Sequence, residues 1–192
     1  MKKIRIRQIT MIGIMAAAVY MASAFLQISI PTAIGTTRLH MGNVMCLLSG
    51  MLLGAVPGGL AAGIGSMLFD FSNPVYIASA PFTFAFKFVM AWLCGALSTG
   101  RHSEKFLMKI CSERSRLLVA AAAGAFSYVL LYIGKNFIEN RYVLGMPLEA
   151  VWLMTAQKGA VSCVNAVVAV IVVVPLGVAL RPVLNRCNGG EK

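Results

Sequence analysis

Residues 65–97 read GSMLFDFSNPVYIASAPFTFAFKFVMAWLCGAL, and the reading of this stretch decides the fold. An apolar run ends at Phe71, is broken by Ser72-Asn73-Pro74, and resumes from Pro81 to Leu97 with a single charge, Lys87. A helix that crosses a bilayer needs about 20 mostly apolar residues at ~1.5 Å each, so the second run is a span. Pro81 falls in its first turn, where the missing N–H costs no hydrogen bond.

The same pattern extends in both directions. Toward the N-terminus lie Gly58 to Phe71, Met41 to Gly54 and Ile9 to Ile30; toward the C-terminus lie Leu117 to Ile133 and Val151 to Leu180. The expected fold is an all-α membrane protein, one integral domain over residues 1–192. Its six transmembrane helices, near 9–30, 41–54, 58–71, 81–97, 117–133 and 151–180, form a single bundle. Pro175 is expected to kink the far end of the last one. Two alternatives stay open. The short, glycine-rich pair between Met41 and Phe71 also reads as one re-entrant hairpin. The first run, behind Lys2, Lys3, Arg5 and Arg7, also reads as a signal peptide with Ala22-Ser23-Ala24 as cleavage site, although its apolar character continues through Phe25 and Leu26.

Composition agrees with a membrane protein. Hydrophobic types make up 59% of the 192 residues and charged types 12%, with a mean hydropathy of +0.81. Soluble domains are about half apolar and a quarter charged, so a soluble enzyme is excluded. A net charge of +11 with so little polar surface does not describe a nucleic-acid binder. The five cysteines are scattered without CxxC spacing, and His40 and His102 stand far apart, so no metal site is expected.

The basic residues orient the chain. With the N-terminus inside, six crossings place Lys2, Lys3, Arg5, Arg7, then Arg101, Lys105, Lys109, Arg114, Arg116, and finally Arg181, Arg186 and Lys192 in the cytoplasm, twelve of the 17. The positive-inside rule therefore puts both termini in the cytoplasm of a plasma-membrane protein.

The remaining basic residues point to a site. Lys87 and Lys158 lie inside spans, where a charge costs about 2.5–3.5 kcal/mol unless it faces a cavity or partner; snorkelling to the interface is the alternative. Thr83 and Lys87 share one helix face, as do Lys158, Ser162 and Asn165. Tyr128, Tyr132, Lys135, Asn136 and Glu139 form a third stripe. Together these predict a pocket between the outer ends of the last three helices, with aromatic walls for a flat ring and donors to orient it. The loop from Ile34 to Asn43, with Thr37, Arg38, His40 and Asn43, is expected to cover it as a lid, and Asp70, Ser72, Asn73 and Tyr76 to lie nearby. On the first helix, Ala18 and Ala22 form a small-xxx-small step that allows another helix to approach.

The run from Leu53-Gly54 through Gly65-x-x-x-x-Asp70 to Ala80-Pro81-Phe82-Thr83 and Lys87, with the Ala18-x-x-x-Ala22 step and Lys158-Gly159, resembles the S components of energy-coupling factor (ECF) vitamin transporters, riboflavin-type branch. The resemblance covers nearly the whole chain. It implies a substrate-binding subunit without resident cofactor, which takes the vitamin as transported ligand. Riboflavin is the first expectation; related members take pyridoxine, hydroxymethylpyrimidine or queuosine-type ligands. It further implies that the first loop around Thr36 to Asn43, with Lys87, Asn136, Lys158 and Asn165, lines the ligand site; with Thr83, Tyr132 and Ser162 from the helix stripes, the expected binding set is Thr37, Arg38, His40, Asn43, Thr83, Lys87, Tyr132, Asn136, Lys158, Ser162 and Asn165. Ala18 and Ala22 would meet the transmembrane T component, which is joined to two cytoplasmic ATPases. The chain has no GxxxxGK[ST] phosphate loop, so ATP hydrolysis would fall to those partners. The rival readings are a self-sufficient facilitator or channel and, less well supported, a small membrane enzyme.

Overall fold

A computed structural model describes residues 6–32, 35–74, 76–99 and 112–189, with side chains described outside 28–40 and 183–189. Among these residues the helices are α1 (Ile6–Phe25), α2 (Gly42–Leu53), α3 (Ala55–Phe71), α4 (Ala80–Thr99), α5 (Glu113–Ile138) and α6 (Leu148–Gly189). Four of them, α1, α4, α5 and α6, are long and apolar enough to cross a membrane, whereas α2 and α3 have 12 and 17 residues. The basic residues Arg101, Lys105 and Lys109 lie outside the described residues, as do Lys2, Lys3, Arg5 and Lys192.

The bundle is all-helical as expected, apart from the link between α1 and α2. There the chain forms an antiparallel hairpin of β1 (Gln27–Thr32) and β2 (Gly35–His40), paired from Gln27 with His40 to Thr32 with Gly35. The first helix accordingly stops at Phe25 and not at Ile30. Ile28, Ile30 and Thr32 are β-branched at alternate positions, which suits a strand, and Pro31 cannot donate to a continuing helix. The Met41 amide donates to the Leu26 carbonyl at 3.0 Å and closes the base of the hairpin.

One residue, Gly54, separates α2 from α3. Its φ of +88° is a conformation that side chains disfavour, and it lets the two helices fold back on each other. A Cβ on Gly58 would lie 2.6 Å from the Gly50 Cα, so α2 and α3 touch backbone to backbone. Gly59 and Gly63 face Phe88 and Phe84 on α4, while Gly95 faces Gly54 and Ala55. The contacts give the chain directions: α3 runs antiparallel to α4, and α5 does so too, since Gly124 meets Met90 while Lys135 reaches Ser79. In lipid, where apolar side chains gain little by leaving their surroundings, close approach through small residues supplies much of the helix association.

The core is centred on Leu47, Met51, Met90, Cys94, Leu117 and Val173. It fills the half of the bundle toward Gly54. The other half, beneath the β hairpin, is hollow. Helix α5 ends there in a π turn, Glu139–Val143, and α6 continues unbroken through Pro175 and Pro182, in place of the expected stop near Leu180.

Candidate functional site

The hollow is a cavity of about 330 Å³ under the hairpin end of the bundle. Helices α3 to α6 form its walls with Asn43 of α2, and Ser23 near the end of α1 and Gln27 at the start of β1 approach it. Helical periodicity makes it polar. Tyr128, Tyr132 and Asn136 recur every fourth residue on α5, and Lys158, Ser162 and Asn165 follow one face of α6, so each helix turns a polar stripe toward the other.

Two polar levels are separated by an aromatic shelf. At the deeper level the Lys87 ammonium donates to Asn43 Oδ1 and lies 4.0 Å from the centre of the Tyr128 ring. Both Lys87 and Asn43 are 2% exposed, and Asp70 lines the same cavity. An oxygen acceptor and an aromatic face thus accommodate a cation that lipid alone would not. Asn43 stands in the first turn of α2, so the fold-back of the hairpin is what brings it to Lys87.

At the shallower level Lys158 Nζ donates to Asn136 Oδ1 at 3.0 Å, and Asn136 Nδ2 donates to the Tyr132 carbonyl at 2.8 Å. At the mouth, Lys135 Nζ reaches Ser79 Oγ at 3.2 Å and Glu139 Oε2 at 2.5 Å. Between the levels the Tyr128 and Tyr132 rings stack with centroids 5.9 Å apart and planes 20° from parallel. Phe82 and Phe86 stand across from them on α4, 6.4 Å apart. Such a space accepts a flat ring against aromatic faces and offers donors and acceptors at both ends. No group of three or more metal-ligating side chains occurs among the described residues.

Asn43, Thr83, Lys87, Tyr132, Asn136, Lys158, Ser162 and Asn165 come together on this one cavity. Thr37, Arg38 and His40 fall in β2, and their side chains lie outside the described set. Ala18 is half-buried, and Ala22 is 4% exposed and packs inward with Ala16, Val19 and Ser23. The small residues that α1 turns outward are instead Gly13 and Ala17. Sequence reading missed Ser23, Ser66, Phe82 and Phe86 as lining residues. The last three carried a signal, because Ser66 precedes Asp70 by one turn and both phenylalanines flank Thr83 and Lys87 on α4.

A comparison with curated proteins finds no match. The family model described as ECF-type riboflavin transporter, S component, matches residues 3–182, a span that includes every helix wall of the cavity. On that match the chain is a multi-pass membrane protein of vitamin uptake, and it belongs to the ECF-type riboflavin transporter S component family.

Proposed function

We propose that this chain captures riboflavin, or a flat heterocycle of closely similar shape, in the cavity beneath the β hairpin and hands it across the plasma membrane as the binding subunit of an ECF importer. The observation that carries the reading is a family match along nearly the whole chain joined to a cavity with an aromatic shelf between two polar levels. In this reading the hairpin end faces outward and both termini face the cytoplasm, as the distribution of basic residues favours. All six helices then cross, with α2 shortened because the hairpin occupies the outer part of its layer.

The T component docks on the outward face of α1, where Gly13, Ala17 and half-buried Ala18 permit close approach. Two cytoplasmic ATPases supply the energy. Reorientation of the whole subunit against the T component turns the loaded cavity inward, and the hairpin serves as its lid.

Titration of the purified full-length protein in detergent with riboflavin tests the binding step. Saturable quenching of flavin fluorescence at one site per chain is expected, and absence of quenching up to millimolar flavin defeats the proposal. Reconstitution into liposomes separates it from the facilitator reading. Riboflavin accumulation is expected only with the T component and ATPases present together with ATP; flux at full rate without them favours a facilitator.

A further inference from the structure

We infer that the link between α5 and α6 is a lipid anchor: Tyr142, Val143 and Leu144, with Trp152 in the second turn of α6, insert beneath the phosphates of the outer leaflet and fasten that rim of the cavity mouth at headgroup depth. The choice of leaflet rests on the orientation proposed above; the burial in lipid does not.

Connections at the end of a bundle ordinarily meet water and are polar, as Ser72-Asn73-Pro74 between α3 and α4 is. Residues 142–144 are not. Tyr142 is 77% exposed and Val143 75%, Leu144 is exposed as well, and Leu148, Trp152 and Leu153 carry the apolar surface on to α6. Exposed apolar surface on this scale marks a contact.

Three observations name lipid as the partner. The patch joins α5 to α6, two helices long and apolar enough to span, and continues their outward faces. Tyr142 and Trp152 each combine an apolar body with a polar tip, and among the described residues neither tip forms a hydrogen bond, which is the condition that a membrane–water interface satisfies. Arg141 and Glu149, both exposed, bracket the run with one charge of each sign, as suits a zwitterionic headgroup layer.

The backbone holds the link in place. In the π turn that closes α5, the Leu144 amide donates to the Glu139 carbonyl at 3.0 Å. Gly145, with φ of +63°, turns the chain back, and Arg141 Nη1 donates to the Met146 carbonyl at 3.2 Å across the bend. The Trp152 ring packs on Phe137 of α5 with centroids 5.4 Å apart, so its position is fixed between the two helices. Glu139, the first residue of the π turn, lines the cavity, whereas Tyr142 leaves the same turn on the outside. One turn of chain thus carries the rim of the mouth inward and the anchor outward, and anchors of this kind set the depth and tilt of a bundle. Helix α1 packs on α2 and α3, while α5 and α6 pack on α4, α2 and each other. The anchor and the α1 face proposed for the T component are therefore separated by the layer of α2 to α4.

The test uses the two tryptophans of the chain. Trp92→Phe leaves Trp152 as the sole one; a second protein with Trp92→Phe, Trp152→Phe and Tyr142→Trp carries its only tryptophan in the link. Each full-length protein is reconstituted into phosphatidylcholine vesicles whose chains bear bromine either near the headgroup or near the bilayer centre, and fluorescence quenching is measured with and without iodide in the water. For both proteins the strongest quenching is expected from bromine near the headgroup, with little from iodide. Quenching of the link tryptophan by iodide alone puts the link in water and overturns the anchor. Strongest quenching of Trp152 by bromine at the bilayer centre overturns the depth.

Val143→Ser with Leu144→Ser, added to the Trp152-only protein, should weaken quenching by the shallow bromines and admit iodide, while flavin affinity in detergent stays within about twofold. An unchanged quenching profile overturns the role of the link. Should Trp92→Phe fail to fold, hydroxyl-radical footprinting of the wild-type protein in vesicles decides: Tyr142 and Trp152 must be protected, and oxidation as fast as in the denatured chain overturns the inference. A protein that inserts this edge and binds no flavin defeats the riboflavin reading alone, since no quenching measurement uses the ligand.

Discussion

Arg181 Nη2 donates to the main-chain carbonyl of Ser98 at 2.9 Å, and through Nη2 and Nε the same guanidinium reaches the Met51 carbonyl at 3.3 and 3.4 Å. Both carbonyls belong to last turns, of α4 and α2, where the helix itself supplies no further N–H partner. A cation there also meets the negative ends of two helix dipoles. The Glu113 carboxylate, 4.0 Å away in the first turn of α5, faces the same side chain. Three helices are thereby tied to α6 at the end of the bundle opposite the cavity.

Arg181→Met should lower the stability of the detergent-solubilised protein by about 2 kcal/mol, since hydrogen bonds to a charged group contribute ~1.5–3 kcal/mol and the abandoned carbonyls are poorly hydrated. Thermal unfolding followed by circular dichroism measures the change. Arg181→Lys should recover less than half of it, because an ammonium lacks the planar fork that spans two acceptors. Flavin affinity should stay within about twofold of wild type, the cavity being at the other end; a parallel loss of affinity would tie Arg181 to the site instead.

Two glycines make an opposed pair. A Cβ on Gly50 would run into the Ala91 carbonyl and stand 3.2 Å from the Gly95 amide nitrogen, both rigid backbone. Gly50→Ala should therefore cost about 2–3 kcal/mol, at the upper end of overpacking penalties. A Cβ on Gly13 meets nothing within 4 Å. Gly13→Ala should be neutral or stabilise by about 0.5–1 kcal/mol through helix propensity. Equal unfolding temperatures for the two variants would contradict the packing of α2 on α4.

Much of this was legible in the sequence because lipid imposes a simple rule: long apolar runs become helices with satisfied backbones. Hence α4, α5 and α6 fall where Pro81–Leu97, Leu117–Ile133 and Val151–Leu180 placed them, with ends extended by polar residues such as Glu113 that hydropathy excludes. The polar stripes of α5 and α6 were equally readable, since helical spacing alone puts Asn136 and Lys158 on facing sides. The β hairpin was not. Gln27 to Ile30 is apolar enough to prolong a helix, and only the alternation of β-branched residues before Pro31 argues for a strand. The pairing of Lys87 with Asn43 was hidden for the same reason. It joins residues far apart in sequence and depends on the depth at which the hairpin starts α2.

The Lys135–Glu139 pair at the cavity mouth is a weaker contact than its 2.5 Å separation suggests. The two side chains are 18% and 41% exposed and sit one helical turn apart, where water and salt screen them. A double-mutant cycle of Lys135→Ala and Glu139→Ala should give a coupling below about 1 kcal/mol in thermal unfolding. A larger value would mean that Lys135, through Ser79 on the neighbouring turn, holds the mouth together cooperatively.

The docking proposal for α1 is separable from ligand binding by position on the helix. Ala17 is exposed and Gly13, one turn away, opens onto free space, whereas Ala22 is buried against the body of the protein beside Val19 and Ser23. Ala17→Trp adds bulk only to the outward face. It should abolish riboflavin uptake in cells that supply the T component and ATPases, while leaving flavin affinity of the purified subunit within about twofold. Ala22→Trp should overpack the interior by about 1–3 kcal/mol or more and disturb Ser23 at the cavity wall, lowering flavin affinity and thermal stability together. Measuring uptake, affinity and unfolding temperature on both variants decides the matter. If Ala17→Trp transports normally, the T component does not approach through this face of α1. If it loses flavin binding along with uptake, the face is not independent of the site.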